Sequence, residues 1–360
     1  MKGGFPAFAF HLSRAPGESI ITPKRPSIKD VAQLARVSTG TVSMVLNDNP
    51  SVSPKTRARV KQAIQELRYI YNRSGAQLRK KRKGVVGVSI CDLANPYFSE
   101  ITVGIEEALG ELGFALFLGH AGESVEQQGK FLNLAREHNV DGLILMPAVG
   151  TPRKIIETIA DWHIPLVLVS RYVAGISTDY SGADNRAGLA TATGHLLALG
   201  HKKIAFVGAN AHTTTGRDRV RGYKAAMKSA GLAIPPGFIV ECEATRKHGF
   251  LAAQKLFGGP GEAPTAIVCF NDLLAFGVML GLRNMGMEPG RDCSVVGTDD
   301  VIEAALWQPG LTTMAIRPRL IGQNAGKLFH KRLESPDQRP EKVLLEPELV
   351  VRDSSWRLNR

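Results

Sequence analysis

Residues 27–67 read SIKDVAQLARVSTGTVSMVLNDNPSVSPKTRARVKQAIQEL and contain three short helical patterns in quick succession. In the first pattern the apolar residues recur on one helix face, and Ser27 and Asp30 occupy the positions of a capping box. Ser38 is the expected N-cap of the second pattern, and Ser53, which precedes a proline, marks the start of the third. The spacing therefore predicts three short helices that share one small core.

A tight turn separates the first two of these patterns, because only Arg36, Val37 and Ser38 lie between them. A short helix that is polar on its outer side and follows such a turn can insert its N-terminal end into the major groove of DNA. The arrangement predicts a helix-turn-helix with a supporting third helix. A generic helical hairpin is the alternative.

The positive charge of the chain is concentrated in its first quarter. Residues 1–83 contain 17 Lys and Arg against 4 Asp and Glu, a net charge of +13. The remaining residues carry 28 basic against 29 acidic side chains, a net charge of −1. Charge alone leaves a solvated basic tail open, but together with the caps and the turn it favours DNA binding by a basic head on a neutral body.

After Gly84, eight short apolar runs recur at intervals of about 30 residues, with amphipathic helical patterns between them. Uniformly apolar strands that alternate with helices indicate a parallel sheet covered on both faces. This many strands favours an α/β body of two doubly wound lobes, with ligand bound in the cleft between them. The runs are VVGV (85–88), ALFL (115–118), LILM (143–146), PLVLV (165–169), IAFVG (204–208), FIV (238–240), AIVCF (266–270) and SVVG (294–297).

Several classes of protein are disfavoured by the sequence. No run approaches the roughly 18 apolar residues of a membrane span, and the interrupted N-terminus indicates an extension rather than a signal peptide. The four cysteines stand far apart and the histidines are scattered, so we expect no metal, no cofactor and a cytoplasmic protein. Glycine-rich nucleotide loops and the common hydrolase motifs are missing, which argues against an enzyme. A transport-linked solute-binding protein is disfavoured by the basic head.

The quoted head and five motifs of the body resemble the lactose-repressor (LacI/GalR) family, from about Ser27 to Ser355. The body motifs are DLANPYFSEITVGIEEAL, DNRAGLATATGHLLALGHKKIAFVG, FNDLLAFG, SVVGTDD and ELVVRDSS. The resemblance implies a DNA-binding transcription regulator with a periplasmic-binding-protein-like sensor. It further implies a homodimer on pseudo-palindromic operator DNA, which we expect to be a repressor controlled by a small molecule, by family default a sugar or polyol. An activator or a nucleobase sensor of the same architecture is the alternative.

The resemblance also assigns the DNA contacts of the head. The recognition-helix positions that touch base edges in this family fall on Thr39, Gly40 and Met44. Because Gly40 has no side chain and Met44 offers only apolar contact, direct base readout should be thin. Packing of Met44 against the third helix is the alternative. The expected phosphate contacts are Ser38, Thr41, Ser43 and Asn47.

The basic segment after the head corresponds to the hinge helix of this family, which orders on operator DNA. Leu78 takes the place of the leucine that inserts into the minor groove. Asn72 and Gln77 are the other expected DNA contacts of the segment. Gly75 departs from the common alanine and should make the hinge harder to order by about 1 kcal/mol.

The resemblance places the effector contacts at the ends of strands in the body. Arg219, Asn271 and Asp299 fall on ligand-contacting positions, and arginine with carboxyl groups can bracket vicinal hydroxyls. Loop capping or a salt bridge is the alternative role. Ser170 stands where many members carry an acid, and Ala244 where lactose-type sensors place an aromatic, so the identity of the ligand stays open. Pro96, Tyr97 and Phe98 are the expected apolar wall.

The pattern changes along the chain predict four segments. They are a disordered extension (1–26), a helix-turn-helix domain (27–71), a hinge and linker (72–83) and an effector-binding and dimerisation domain (84–357). Within the last, the N-lobe is expected at about 84–183 and 318–345, and the C-lobe at about 184–317 and 346–357.

Overall fold

The computed structural model describes residues 26–46, 48–69, 83–259 and 261–358. Contacts divide the chain into two units, Met1–Lys80 and Lys81–Arg360, which are described separately. The predicted extension falls almost wholly outside the described residues. The expected DNA contacts Asn47, Asn72, Gln77 and Leu78 also lie outside them.

The described part of the first unit contains three helices: α1 (Ile28–Leu34), α2 (Thr39–Leu46) and α3 (Pro54–Glu66). One face of each helix contributes to a small apolar core, as the spacing of apolar residues predicts. The buried members of this core are Val31, Ala32, Ala35, Val42, Val45, Val60 and Ala63.

Side-chain caps define where these helices begin. The Asp30 carboxylate accepts hydrogen bonds from the N–H (2.7 Å) and the hydroxyl (2.6 Å) of Ser27. The Ser38 hydroxyl accepts the N–H of Thr41 at 3.0 Å, at the start of α2. Ser53 caps α3 in the same way, followed by proline at the first helical position. These caps satisfy N–H groups that a helix start leaves without a partner, as the sequence predicted.

The body is built on two six-stranded sheets. The first sheet, which defines the N-lobe, has the strand order β11-β5-β4-β3-β1-β2, with all neighbours parallel. Its strands are β1 (Val85–Ile90), β2 (Ala115–His120), β3 (Leu143–Leu145), β4 (Leu166–Val169), β5 (Asp179–Ala183) and β11 (Lys342–Leu345).

The second sheet, which defines the C-lobe, has the order β12-β10-β9-β8-β6-β7. Its strands are β6 (Ile204–Ala209), β7 (Ile239–Glu241), β8 (Ala266–Cys269), β9 (Ser294–Asp299), β10 (Thr312–Ala315) and β12 (Glu348–Val350). Contrary to the expectation of a purely parallel sheet, β12 runs antiparallel to β10. The reason is the chain path: it leaves the C-lobe after β10, and β12 brings it back.

Helices cover both sheets, as expected for strands that are apolar on both faces. They are α4 (Pro96–Gly110), α5 (Val125–Glu137), α6 (Arg153–Ala160), α7 (Asn185–Ala198), α8 (Thr214–Ser229), α9 (Arg246–Gly258), α10 (Asp272–Asn284), α11 (Glu303–Leu306) and α12 (Pro318–Glu334). Among the described helices, none combines the length and the apolar character that crossing a membrane requires.

The strand order of each sheet reverses at one point, which marks where a ligand is expected. In the N-lobe the reversal lies between β1 and β3, and in the C-lobe between β6 and β8. Open α/β sheets bind ligands outside the carboxyl ends of strands at such a switch point. The residues that follow these strands are therefore the candidates for the effector site.

Candidate DNA-reading helix and effector cleft

The outer side of α2 is available for contact. Thr39, Gly40 and Met44 are exposed, whereas Thr41 and Ser43 are half-buried. Met44 is 39% exposed, which leaves part of its side chain free for contact. The helix has no acidic residue in its first turn, so its positive end is not offset by a carboxylate there.

The expected phosphate contacts Ser38 and Thr41 also build the start of α2. Besides accepting the Thr41 N–H, the Ser38 hydroxyl lies 2.9 Å from the Thr41 hydroxyl. Both hydroxyls therefore have a partner within the head. A phosphate contact at this end would add to the capping role of Ser38 and not replace it.

On the C-lobe side of the cleft the structure brings Arg219 and Asp299 together. Arg219 lies on α8 and Asp299 ends β9; Nη2 and Oδ1 are 3.6 Å apart, and both side chains are 3% exposed. The Arg219 Nε donates to Asn185 Oδ1 at 2.8 Å, and its Nη1 donates to the carbonyl of Phe270. The guanidinium also lies 4.4 Å from the centre of the Phe270 ring. Arg219 thus spans the C-lobe switch point.

Burial dominates the electrostatics of this pair. It raises the pKa of Asp299 and lowers the pKa of Arg219, because removing either ion from water disfavours its charged form. The attraction between the two groups opposes both shifts. A fixed guanidinium beside a carboxylate offers donors and acceptors to one ligand, which suits the hydroxyl groups of a polyol.

Asn271 reaches the same region but has a structural role as well. Its Oδ1 accepts the N–H of Leu274 at 3.0 Å and so caps α10. The sequence left loop capping as the alternative role, whereas Asn271 caps the start of a helix. The side chain is buried next to Phe270, the residue under Arg219.

On the N-lobe side, the three residues expected as an apolar wall have different environments. Pro96 is half-buried at the start of α4, whereas Phe98 belongs to the N-lobe core. Tyr97 is also buried, and its hydroxyl lies 2.8 Å from the Ser170 hydroxyl. Burial raises the pKa of Tyr97 to about 12, so this hydroxyl stays neutral. Ser170 has a φ of 63°, a conformation that non-glycine residues rarely adopt.

A second ion pair at the N-lobe switch point was not found from the sequence. The Arg171 guanidinium donates to both carboxylate oxygens of Glu123 at 2.7 Å. Its Nη1 is also 3.4 Å from the carbonyl of Pro147, which follows β3. The position of Arg171 directly after Ser170, at the end of an apolar run, was the available signal.

The sequence also missed a set of hydrogen bonds that join the two lobes. The hydroxyl of Tyr172 donates to Asp218 Oδ2 at 2.9 Å, and its N–H donates to the Thr214 hydroxyl at 3.2 Å. The Thr214 hydroxyl donates in turn to the Tyr172 carbonyl at 2.9 Å. Thr215 donates to the Ser170 carbonyl at 3.3 Å. The segment after β4 is thereby attached to the first turn of α8, the helix that carries Arg219.

One cysteine borders the N-lobe side of the cleft, because Cys91 Sγ lies 3.7 Å from Arg171 Nη1. Cys91, Cys242, Cys269 and Cys293 are free thiols, and burial raises the pKa of each. In the part of the chain that the structure describes, no group of three or more His, Cys, Asp or Glu side chains could hold a metal ion.

Comparisons with known proteins agree with this architecture. Residues 27–72 match the family model "Bacterial regulatory proteins, lacI family", and residues 193–355 match "Periplasmic binding protein-like domain". The HTH-type transcriptional regulator DegA of Bacillus subtilis is 32% identical over 337 residues, which are 93% of this chain and 99% of DegA.

Two solved structures extend the similarity to the fold. The lac repressor dimer bound to operator and the anti-inducer ONPF is 27% identical, covers 92% of this chain and 100% of that chain, and superimposes with a TM-score of 0.83. A complex of the transcriptional regulator CelR with cellobiose is 28% identical, with a TM-score of 0.69 and the same coverage.

These matches confirm the expected family and fold class, and also the expectation that the chain is not an enzyme. A matched head with three capped helices and a matched two-lobed body occur together in one chain. The chain belongs to the lacI family of bacterial regulatory proteins and is a DNA-binding transcriptional regulator.

Proposed function

We propose that this chain is a repressor whose affinity for operator DNA is controlled by a sugar or polyol bound between the two lobes. The observation that carries the proposal is the buried Arg219–Asp299 pair, with 3.6 Å between Nη2 and Oδ1, at the carboxyl edge of the C-lobe sheet. An ion pair removed from water at a switch point is costly unless it serves packing or binding. The likeness to a lac repressor and to a cellobiose complex supports the same function.

In this proposal the DNA contacts are those of the head and the hinge. Exposed Thr39, Gly40 and Met44 meet base edges, and the net charge of +13 on residues 1–83 supplies phosphate affinity. Ser38, Thr41, Ser43 and Asn47 contact phosphates, and Asn72, Gln77 and Leu78 act from the hinge. A pseudo-palindromic operator needs two heads, so the active form is a homodimer. Binding to chromosomal DNA would place the protein in the cytoplasm.

The charges of the cleft favour a neutral effector. Among the described residues, Arg171 and Arg219 are the most deeply buried arginines, and each already has a carboxylate partner. A phosphate group would therefore add negative charge without a guanidinium to balance it. Neutral hydroxyl groups can accept from the arginines and donate to Asp299, while Tyr97 and Ser170 provide hydroxyls on the N-lobe side.

The experiment is a thermal-shift screen of the full chain over sugars, polyols, purines and the phosphate esters of these sugars. An operator selected from random DNA then reports whether each stabilising compound changes DNA affinity. The proposal expects a neutral sugar or polyol that both raises the melting temperature and weakens operator binding. A purine as the only active compound would favour the nucleobase sensor, and tighter operator binding would identify a corepressor.

A further inference from the structure

The carboxylate of Asp272 lies fully buried behind the segment that presents Asp299 to the cleft. Its Oδ2 accepts the N–H of Val301 at 2.9 Å, and its Oδ1 accepts the hydroxyl of Thr313 at 2.5 Å. Asp272 therefore connects the start of α10 to the turn that follows β9 and to β10, the next strand of the sheet.

The turn that Asp272 holds has a backbone conformation that side chains disfavour. The φ angle is 133° at Asp299 and 56° at Asp300, in the range that favours glycine. Such conformations cost free energy and persist only where the surroundings enforce them. The N–H of Val301 ends on the Asp272 carboxylate, while Arg352 donates to the Asp300 side chain at 2.8 Å.

Space for this carboxylate depends on a glycine in the neighbouring strand. A Cβ atom at Gly297 would lie 2.2 Å from Asp272 Oδ1, which is closer than any tolerable contact. Gly297 lies two residues before Asp299 in the strand, so the close approach occurs next to the proposed effector site. The lack of a side chain at Gly297 therefore allows the Asp272 carboxylate to approach this turn.

We propose that Asp272 is a positioning residue of the effector site, which fixes the carboxylate of Asp299 beside Arg219 without contacting the effector itself. This inference rests on the proposed role of Asp299 in effector binding. When the Val301 N–H loses its acceptor, the strained turn relaxes and the Asp299 side chain leaves the guanidinium. A binding site tolerates only small displacements of its side chains.

Hydrogen–deuterium exchange of the full chain tests this inference without any effector. Asp272→Leu removes the acceptor and is expected to raise exchange at the amides of residues 300–301 at least tenfold, with β8 and the helices of the C-lobe unchanged. Asp272→Asn keeps an amide oxygen that accepts the Val301 N–H, so wild-type protection should return. Thr313→Val is the matched control, because it removes one partner of Asp272 and leaves the turn attached.

Two results would overturn the inference. One is wild-type protection of residues 300–301 in Asp272→Leu, which would show that the turn keeps its conformation without the Asp272 carboxylate. The other is a rise in exchange spread evenly over the C-lobe, which would assign Asp272 to general stability. If the leucine variant does not fold, Asp272→Ser takes its place, because the serine hydroxyl is too short to reach the Val301 N–H. Failure of the effector screen would leave these exchange results unaffected, so the two proposals fail separately.

Discussion

The hydroxyl of Tyr172, in the segment after the N-lobe strand β4, donates to the carboxylate of Asp218 on the C-lobe helix α8 at 2.9 Å. Since α8 also carries Arg219, this bond connects the effector site to the relative placement of the lobes. We expect Tyr172→Phe to destabilise the present arrangement of the lobes by about 1 kcal/mol, the usual worth of one hydrogen bond. The effector concentration that releases half of the operator should then change about 2- to 10-fold.

Fluorescence anisotropy of labelled operator measures this change. Tyr223→Phe is the matched control, because its hydroxyl donates to the Ile204 carbonyl at 2.7 Å within the C-lobe core. That variant should lose comparable stability and keep the wild-type effector response. The same shift in both variants would show that the Tyr172 bond acts only on stability.

Asp299→Asn should abolish the effector response and also destabilise the body. The substitution leaves the Arg219 guanidinium buried without a carboxylate, a loss of roughly 3–5 kcal/mol for a buried pair. Denaturant unfolding of the variant measures the loss. The double variant Arg219→Met/Asp299→Leu should recover much of the stability but none of the response, since it replaces both ions with apolar side chains. If the effector still releases operator DNA normally from either variant, this pair is not part of the effector site.

The pH dependence of stability should carry a contribution from Asp272. Burial raises its pKa to about 6, so between pH about 4 and 6 the folded chain keeps a proton that the unfolded chain has released. Stability from this group is therefore complete at low pH and is lost as the pH rises through 6, by about 3 kcal/mol in total. The Asp272→Asn variant has no carboxyl group at this position, so its stability does not include this fall with rising pH.

Unfolding free energies of both proteins at a series of pH values provide the measurement. The difference, variant minus wild type, should grow more positive from pH 4 to pH 7. A difference that stays constant over this range would show that the carboxylate of Asp272 titrates normally.

Leu78→Ala should weaken operator binding at least tenfold and leave the melting temperature of the free protein unchanged. Leu78 lies outside the described residues, and its role as a minor-groove wedge comes from the family resemblance. Anisotropy with the selected operator and with unrelated DNA separates specific from non-specific affinity. Arg79→Ala is the control, because loss of one charge should weaken both kinds of DNA binding similarly. Equal affinity of wild type and Leu78→Ala for the operator would assign Leu78 to the linker surface.

Local sequence patterns were sufficient for the helices of the head and for the strands with uniformly apolar residues. They missed β5 and β10, because DYSGA and TTMA place polar side chains in buried strands, and they missed β11 and β12, which are short, partly exposed edge strands. The pairs Arg171–Glu123 and Tyr172–Asp218 join residues 48 and 46 positions apart, a relationship that periodicity does not contain. Asp272 was missed for another reason. It directly follows Asn271, and the position of Asn271 at the end of a strand led to the functional role being assigned to Asn271 alone.

The most direct test of effector-controlled DNA binding is an anisotropy titration of the selected operator with the full chain, with and without the compound that stabilises it most. We expect the compound to weaken operator affinity at least tenfold, within the range usual for allosteric coupling. Residues 84–360 alone, with their net charge near zero, should bind no operator. An operator affinity that is indifferent to every stabilising compound, or that survives in residues 84–360, would exclude effector control of the head.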